Sequence, residues 1–185
     1  MRIRPAAALL FLSVAVPASA ETVVPVARFD AVALTGGGEV RIRHGAAQKV
    51  TLLRGNLETS RFTVRNGGLE IRACTRTCRD YDLVVEIVTP DVHALAITGG
   101  GSIVAEGAFP ARKALAASIT GGGVIDADAM RTQAVAASIK GGGVIRTNPQ
   151  QSLAAAIKGG GNVVYRGDPH KTVVVDGGGE VTRAD

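Results

Sequence analysis

A Gly-Gly-Gly triplet set between aliphatic residues occurs six times in these 185 residues, beginning at Gly36, Gly99, Gly121, Gly141, Gly159 and Gly177. The successive steps are 63, 22, 20, 18 and 18 residues. Two positions before the triplets stand Leu34, Ile97, Ile119, Ile139, Ile157 and Val175; two positions after them stand Val40, Ile103, Ile125, Ile145, Val163 and Val181. A unit of about 20 residues cannot bury its own apolar face and becomes stable only when copies stack. Glycine enters positive φ freely and permits close backbone approach, so a triplet at one site of every unit reads as a tight corner. At the inter-strand spacing of about 4.8 Å, the five closely spaced corners would extend over roughly 20 Å. The expected fold is all-β: a single-stranded parallel β-helix, or β-solenoid, with coils of 18 to 22 residues, preceded by a strand and hairpin region.

The residue just before each of those triplets is Thr98, Thr120, Lys140, Lys158 and Asp176. Under in-register stacking these form a ladder beside the glycine strip, mildly repulsive at Lys140/Lys158 and attractive at Lys158/Asp176. Thr98, Thr120, Lys140 and Lys158 are the candidate binding residues.

From Glu21 to Pro90 the apolar residues alternate, as in Val40 and Ile42, Val50 and Leu52, Phe62 and Val64, Leu69 and Ile71, and Leu83, Val85 and Ile87. This is the pattern of half-buried strands. Turns are expected at Arg54-Gly55-Asn56, at Asn66-Gly67-Gly68 and around Cys74 to Asp80. Ala111 to Ala117 and Ala129 to Ala137 are rich in helix formers. Both run into the same aliphatic-x-Gly-Gly-Gly unit as the valine-rich copy at Val173 to Val175, so strand is the consistent reading. The alanines there suit a crowded interior.

Residues 1–20 have the three parts of a secretory signal: basic Arg2 and Arg4, an apolar run from Ala6 to Val16 too short to span a bilayer, and the small-residue site Ala18-Ser19-Ala20. Cleavage after Ala20 is expected, leaving one domain over residues 21–185 with no membrane span, in the periplasm or outside the cell. The intact mass of the exported protein checks this; a product that keeps Met1 would contradict it. Loss of Arg2 and Arg4 leaves 19 basic against 16 acidic residues, a net charge of +3. That balance, with few aromatics and no dense basic stripe, argues against a nucleic-acid reader.

Motifs that carry chemistry are sparse. The glycine runs lack the strand, loop and helix order and the following lysine and hydroxyl that a phosphate cradle needs, and no cofactor is implied. Cys74 and Cys78 enclose three residues. In an oxidising compartment they read as a disulfide rather than a metal site, which would need two further ligands. No metal site is expected. Asp126 and Asp128 would project from the same side of a strand, as a carboxylate pair for sugar hydrolysis or a weak calcium site does. Their equivalents in the next coils, Arg146 and Asn148, then Val164 and Arg166, point instead to a solvated face. His44, His93 and His170 are scattered. The period of six in Ile157, Val163, Pro169 and Val175 is that of hexapeptide-repeat acyltransferases, in which His170 would be the base to test, but the coils of 22 and 20 residues break that count.

With the repeats laid out, the chain resembles the bacterial family described as putative autotransporter adhesin, head GIN domain. The resemblance spans an opening Phe29-Asp30-x-Val32 strand, a hairpin region ending in Val84-Val85-Glu86-Ile87-Val88-x-Pro90, and the repeats. Its most specific part is the end, Tyr165-Arg166-Gly167-Asp168-Pro169 before the triplet at Gly177 to Gly179. Family repeats commonly alternate glycine with serine or alanine, whereas here the middle position is glycine. The resemblance implies a right-handed β-helix of pectin-lyase-like appearance and a surface or adhesive role without known catalytic residues. The expected function is a non-enzymatic, secreted or periplasmic binding protein that presents a Gly/Thr/Lys face to an envelope or extracellular polysaccharide or surface protein. The alternative is a polysaccharide lyase or hydrolase built on a β-helix, which fold alone does not license.

Overall fold

The computed structural model describes residues 21–76 and 82–184. The expected signal segment and Cys78 lie outside them; among the described residues no cysteine is free. In chain order the strands are β1 (Thr22–Val23), β2 (Ala31–Gly36), β3 (Glu39–His44), β4 (Lys49–Arg54), β5 (Arg61–Arg65), β6 (Gly68–Arg72), β7 (Val84–Thr89), β8 (Ala94–Gly99), β9 (Ser102–Glu106), β10 (Arg112–Gly121), β11 (Val124–Gly141), β12 (Val144–Lys158), β13 (Asn162–Tyr165), β14 (His170–Asp176) and β15 (Glu180–Arg183). No helix occurs among the described residues, and both alanine-rich segments are strand.

All the strands join one sheet, folded into two rows. The first row runs β5, β6, β2, β8, β10, the C-terminal half of β11, the C-terminal half of β12, and β14. The second runs β1, β4, β7, β3, β9, the N-terminal halves of β11 and β12, β13 and β15. Most pairs are parallel, but β1/β4, β4/β7 and β5/β6 are antiparallel. The sheet is therefore mixed: the antiparallel pairs fall in the expected strand and hairpin region before the repeats, which joins the same sheet instead of merely preceding a single-stranded parallel β-helix. The Asn66-Gly67 turn, with φ of 49° and 77°, supplies the primed geometry that closes a tight hairpin.

Spatial order also departs from chain order. β2 and β3 lie between the pair β6 and β7 on one side and the pair β8 and β9 on the other. The 63-residue step between the first two triplets is thus an excursion that builds the end of the stack and returns, and Gly36 pairs in register with Gly99. Six corners stack, not five.

The inward positions form two apolar ladders. In the first row Ile71, Leu34, Ile97, Ile119, Ile139 and Ile157 are at most 2% exposed. Val175, expected to complete that ladder, pairs with Ile157 but is 40% exposed because no strand among the described residues covers β14. In the second row Val85, Val40, Ile103, Ile125, Ile145 and Val163 are wholly buried. The open end is blunted by Lys171, which occupies the inward register position of Leu153 and donates to the Tyr165 hydroxyl at 2.8 Å. A charge placed at an inward position of an edge strand discourages further pairing. At the passage from β9 to β10, buried Arg112 pairs with Asp91, donates to the Val92 carbonyl at 3.0 Å and lies over the Phe109 ring. Burial pushes its pKa below the usual arginine value.

Candidate binding face

At each corner the first glycine has positive φ, from 99° at Gly99 to 127° at Gly141 and Gly177. The carbonyls of Gly36, Gly99 and Gly121 each accept the N–H of the middle glycine of the next corner, as in Gly100 N to Gly36 O at 2.8 Å and Gly142 N to Gly121 O at 2.9 Å. A side chain on the first glycine would strike the backbone of the neighbouring coil. The middle position is different: a Cβ on Gly122, Gly142, Gly160 or Gly178 would meet nothing within 4 Å. Packing demands the first glycine and leaves the middle one open to solvent.

The outward residues of the first row make a grid of three columns. The column beside the corners reads Arg61, Arg72, Thr35, Thr98, Thr120, Lys140, Lys158, Asp176, each in register with the next. The candidates Thr98, Thr120, Lys140 and Lys158 are all exposed on it. Lys158 stands 3.8 Å from Asp176 with both side chains in solvent, a pair of small energetic weight. The next column carries Thr63, Glu70, Ala33, Ala96, Ser118, Ser138, Ala156 and Val174; the third carries Arg65, Gly68, Ala31, Ala94, Ala116, Ala136, Ala154 and Thr172. Between the arginine end and the last strand, the centre of this face is a floor of alanine and serine. The expectation that the repeat alanines fill the interior holds for Ala117, Ala137 and Ala155, which are buried, and fails for Ala116, Ala136 and Ala154, which are exposed.

Arg61 and Arg72 lie far from the closely spaced repeats in the chain, and only the placement of β6 beside β2 puts them in the column; Thr35 stands directly before the Gly36 triplet and joins the column through the β2/β8 pairing. The one sequence signal was their position before a glycine corner or in a hairpin facing it.

The remaining candidates fall elsewhere. Asp126 and Asp128 lie on the outer face of the second row, where the Arg166 guanidinium holds both Asp128 oxygens at 2.7 Å and Arg146 stands 3.9 Å from Asp126. Asp128 raises the Arg166 pKa through this contact. On the same row Arg43 bridges Glu106 at 2.7 Å and Glu86 at 3.2 Å. His44 contacts the Phe109 ring, His93 lies 3.6 Å from Asp30, and His170 is exposed on β14. No group of three or more His, Cys, Asp or Glu side chains among the described residues could hold a metal ion, and no helix among them is long and apolar enough to cross a membrane.

The protein is thus an all-β sheet with glycine corners and an outer face edged by cations. The chain belongs to the family described as putative auto-transporter adhesin, head GIN domain, whose sequence profile matches residues 28–116 and again residues 111–169. No curated protein matches it in sequence. Among solved structures, a putative adhesin from Bacteroides fragilis shares its fold, with a TM-score of 0.55 at 17% identity over 89% of this chain and 96% of that one. A putative adhesin from Parabacteroides merdae aligns over 90% of this chain and 96% of that one at 13% identity and a TM-score of 0.42. A putative lipid binding protein from Parabacteroides distasonis covers 89% and 96% at 14% identity and a TM-score of 0.38.

Proposed function

We propose that the protein is a non-enzymatic, exported binding protein of the cell envelope or surface, whose three-column outer face lies against an acidic polysaccharide. From Ala94 onward the chain winds as a right-handed β-solenoid, and each coil adds one row to that face. The observation that carries the reading is the column of Thr98, Thr120, Lys140 and Lys158 set along a floor of alanine and serine side chains too short to obstruct a flat polymer. Family membership supports an adhesive role and a location outside the cytoplasm. Binding is favoured over chain cleavage because Asp126 and Asp128 are each turned to an arginine and sit on the other row from the cation column.

Exposed charges act over about 8 Å at physiological ionic strength, so each contact is weak and affinity comes from repetition along the polymer. Lys140→Glu with Lys158→Glu is expected to weaken binding to polygalacturonate about tenfold or more and to flatten its salt dependence. Both sites are solvated, so the unfolding free energy should move by less than about 1 kcal/mol. Titration at several salt concentrations checks this. Binding unchanged by the double reversal would show that the face is placed wrongly.

A further inference from the structure

We infer that the arginine end of this face, the depression lined by Arg61, Thr63, Arg65, Glu70, Arg72 and Thr75, is the anchoring site for an oxyanion substituent, carboxylate or sulfate, of the acidic polysaccharide; this rests on the binding role proposed above. The depression has a volume of about 300 Å³. It is formed on the outer side of the β5/β6 hairpin, where Arg61 stands directly opposite Arg72, Thr63 opposite Glu70 and Arg65 opposite Gly68. Like charges facing each other across two strands are destabilising, so the fold gains nothing from the Arg61/Arg72 pair.

The pairing pattern of the other arginines sharpens the point. On the surface, Arg41, Arg43, Arg54, Arg146, Arg166 and Arg183 each lie within 4.0 Å of a carboxylate, Arg131 donates to Gln150, and Arg28 and Arg76 stand apart from one another with no ion pair among the described residues. What sets Arg61, Arg65 and Arg72 apart is that they share one depression: among the described residues their side chains have neither an ion pair nor a hydrogen bond, although Glu70 lies in the same depression. Three exposed guanidiniums against one carboxylate leave the site positive and its donors open. A guanidinium presents its N–H groups as a rigid fork matched to planar or tetrahedral oxyanions, and the Thr63 hydroxyl beside them suits a sugar hydroxyl. The nearer lysine of the cation column, Lys140, is four strand steps from Arg72, about 19 Å at the inter-strand spacing, and Lys158 is one step further. A polymer seated in the depression runs along the alanine and serine floor and reaches Lys140 and Lys158 secondarily, while a short oligomer touches the arginine end alone.

The test is calorimetric titration of the exported protein and two variants, Arg61→Gln/Arg72→Gln and Lys140→Gln/Lys158→Gln, with trigalacturonate, fully sulfated maltotriose, polygalacturonate and phosphatidylglycerol vesicles. The expected result is that the arginine variant binds the trisaccharides at least tenfold more weakly while the lysine variant binds them like the wild type, and that both variants bind the polymer more weakly. Loss of trigalacturonate binding alone assigns the site to carboxylates, and loss of sulfated maltotriose binding alone to sulfates. Arg61→Lys/Arg72→Lys, which keeps the charge and removes the fork, should recover only part of the affinity; full recovery would overturn recognition by the guanidinium geometry. No variant should have a lower thermal midpoint than the wild type, since every altered side chain is exposed, and Arg61→Gln/Arg72→Gln should be equal or slightly higher because it relieves a like-charge pair. Polymer binding that the lysine variant weakens and the arginine variant does not would overturn the anchor and leave the binding face standing. Binding of the vesicles with neither saccharide bound would overturn both.

Discussion

Gly141→Ala is expected to lower the free energy of unfolding by about 3–5 kcal/mol, whereas Gly142→Ala, one residue on, should change it by no more than about 0.5 kcal/mol. Two costs add at Gly141. Its φ of 127° is a region that a Cβ disfavours by about 1–3 kcal/mol. The added Cβ would also sit 2.5 Å from the Gly121 carbonyl oxygen and 3.1 Å from its carbon. Both belong to backbone held by the stack, and overpacking of this kind costs about 1–3 kcal/mol. At Gly142 neither cost applies. Urea unfolding followed by far-UV circular dichroism measures the difference. Equal midpoints for the two variants would mean that the corner is not stacked as described. At Gly122, Gly142, Gly160 and Gly178 packing does not demand the middle glycine, and its recurrence leaves the margin of the proposed binding face free of side chains.

Ile139→Ala should cost about 2–4 kcal/mol through lost burial and the cavity left between Ile119 and Ile157. Val175→Ala, in the same ladder but 40% exposed, should cost about 1 kcal/mol, and Thr120→Ala on the outer face should stay within about 0.5 kcal/mol. The ranking tests the inward and outward phase of the first row, since a one-residue slip would exchange the two faces. Similar midpoints for Ile139→Ala and Thr120→Ala would contradict the phase.

The repeats were legible because each triplet fixes a corner and each flanking aliphatic fixes a phase. The register of Ile97, Ile119, Ile139, Ile157 and Val175 follows from those two signals alone. Strand in the alanine-rich segments was legible for the same reason, as the equivalence of stacked coils overrides local helix propensity. What sequence could not show is non-local. The Asn66-Gly67 turn does signal the antiparallel β5/β6 hairpin, but nothing in residues 45–93 indicates that β6 and β7 pack outside β2 and β3, or that β4 runs antiparallel to β7, because pairing partners in a sheet are not encoded in apolar alternation. The same crossover carries Arg61 and Arg72 into line with Lys140 and Lys158, so the stronger half of the cation column was hidden. Alternation likewise does not say which alternate alanine faces inward. Ala116 and Ala117 differ only by the phase that Ile119 sets, and that phase makes one of them core and the other the floor of the face.

The most direct measurement is an array of acidic and neutral polysaccharides probed with the exported protein at low and at physiological salt, with the chain length of bound polymers determined afterwards. Retention should be confined to acidic polymers, should fade as salt rises, and should leave the polymers at their original length. Retention of neutral polymers that is insensitive to salt, or the release of shortened saccharides, would contradict a cation-edged, non-enzymatic binding face.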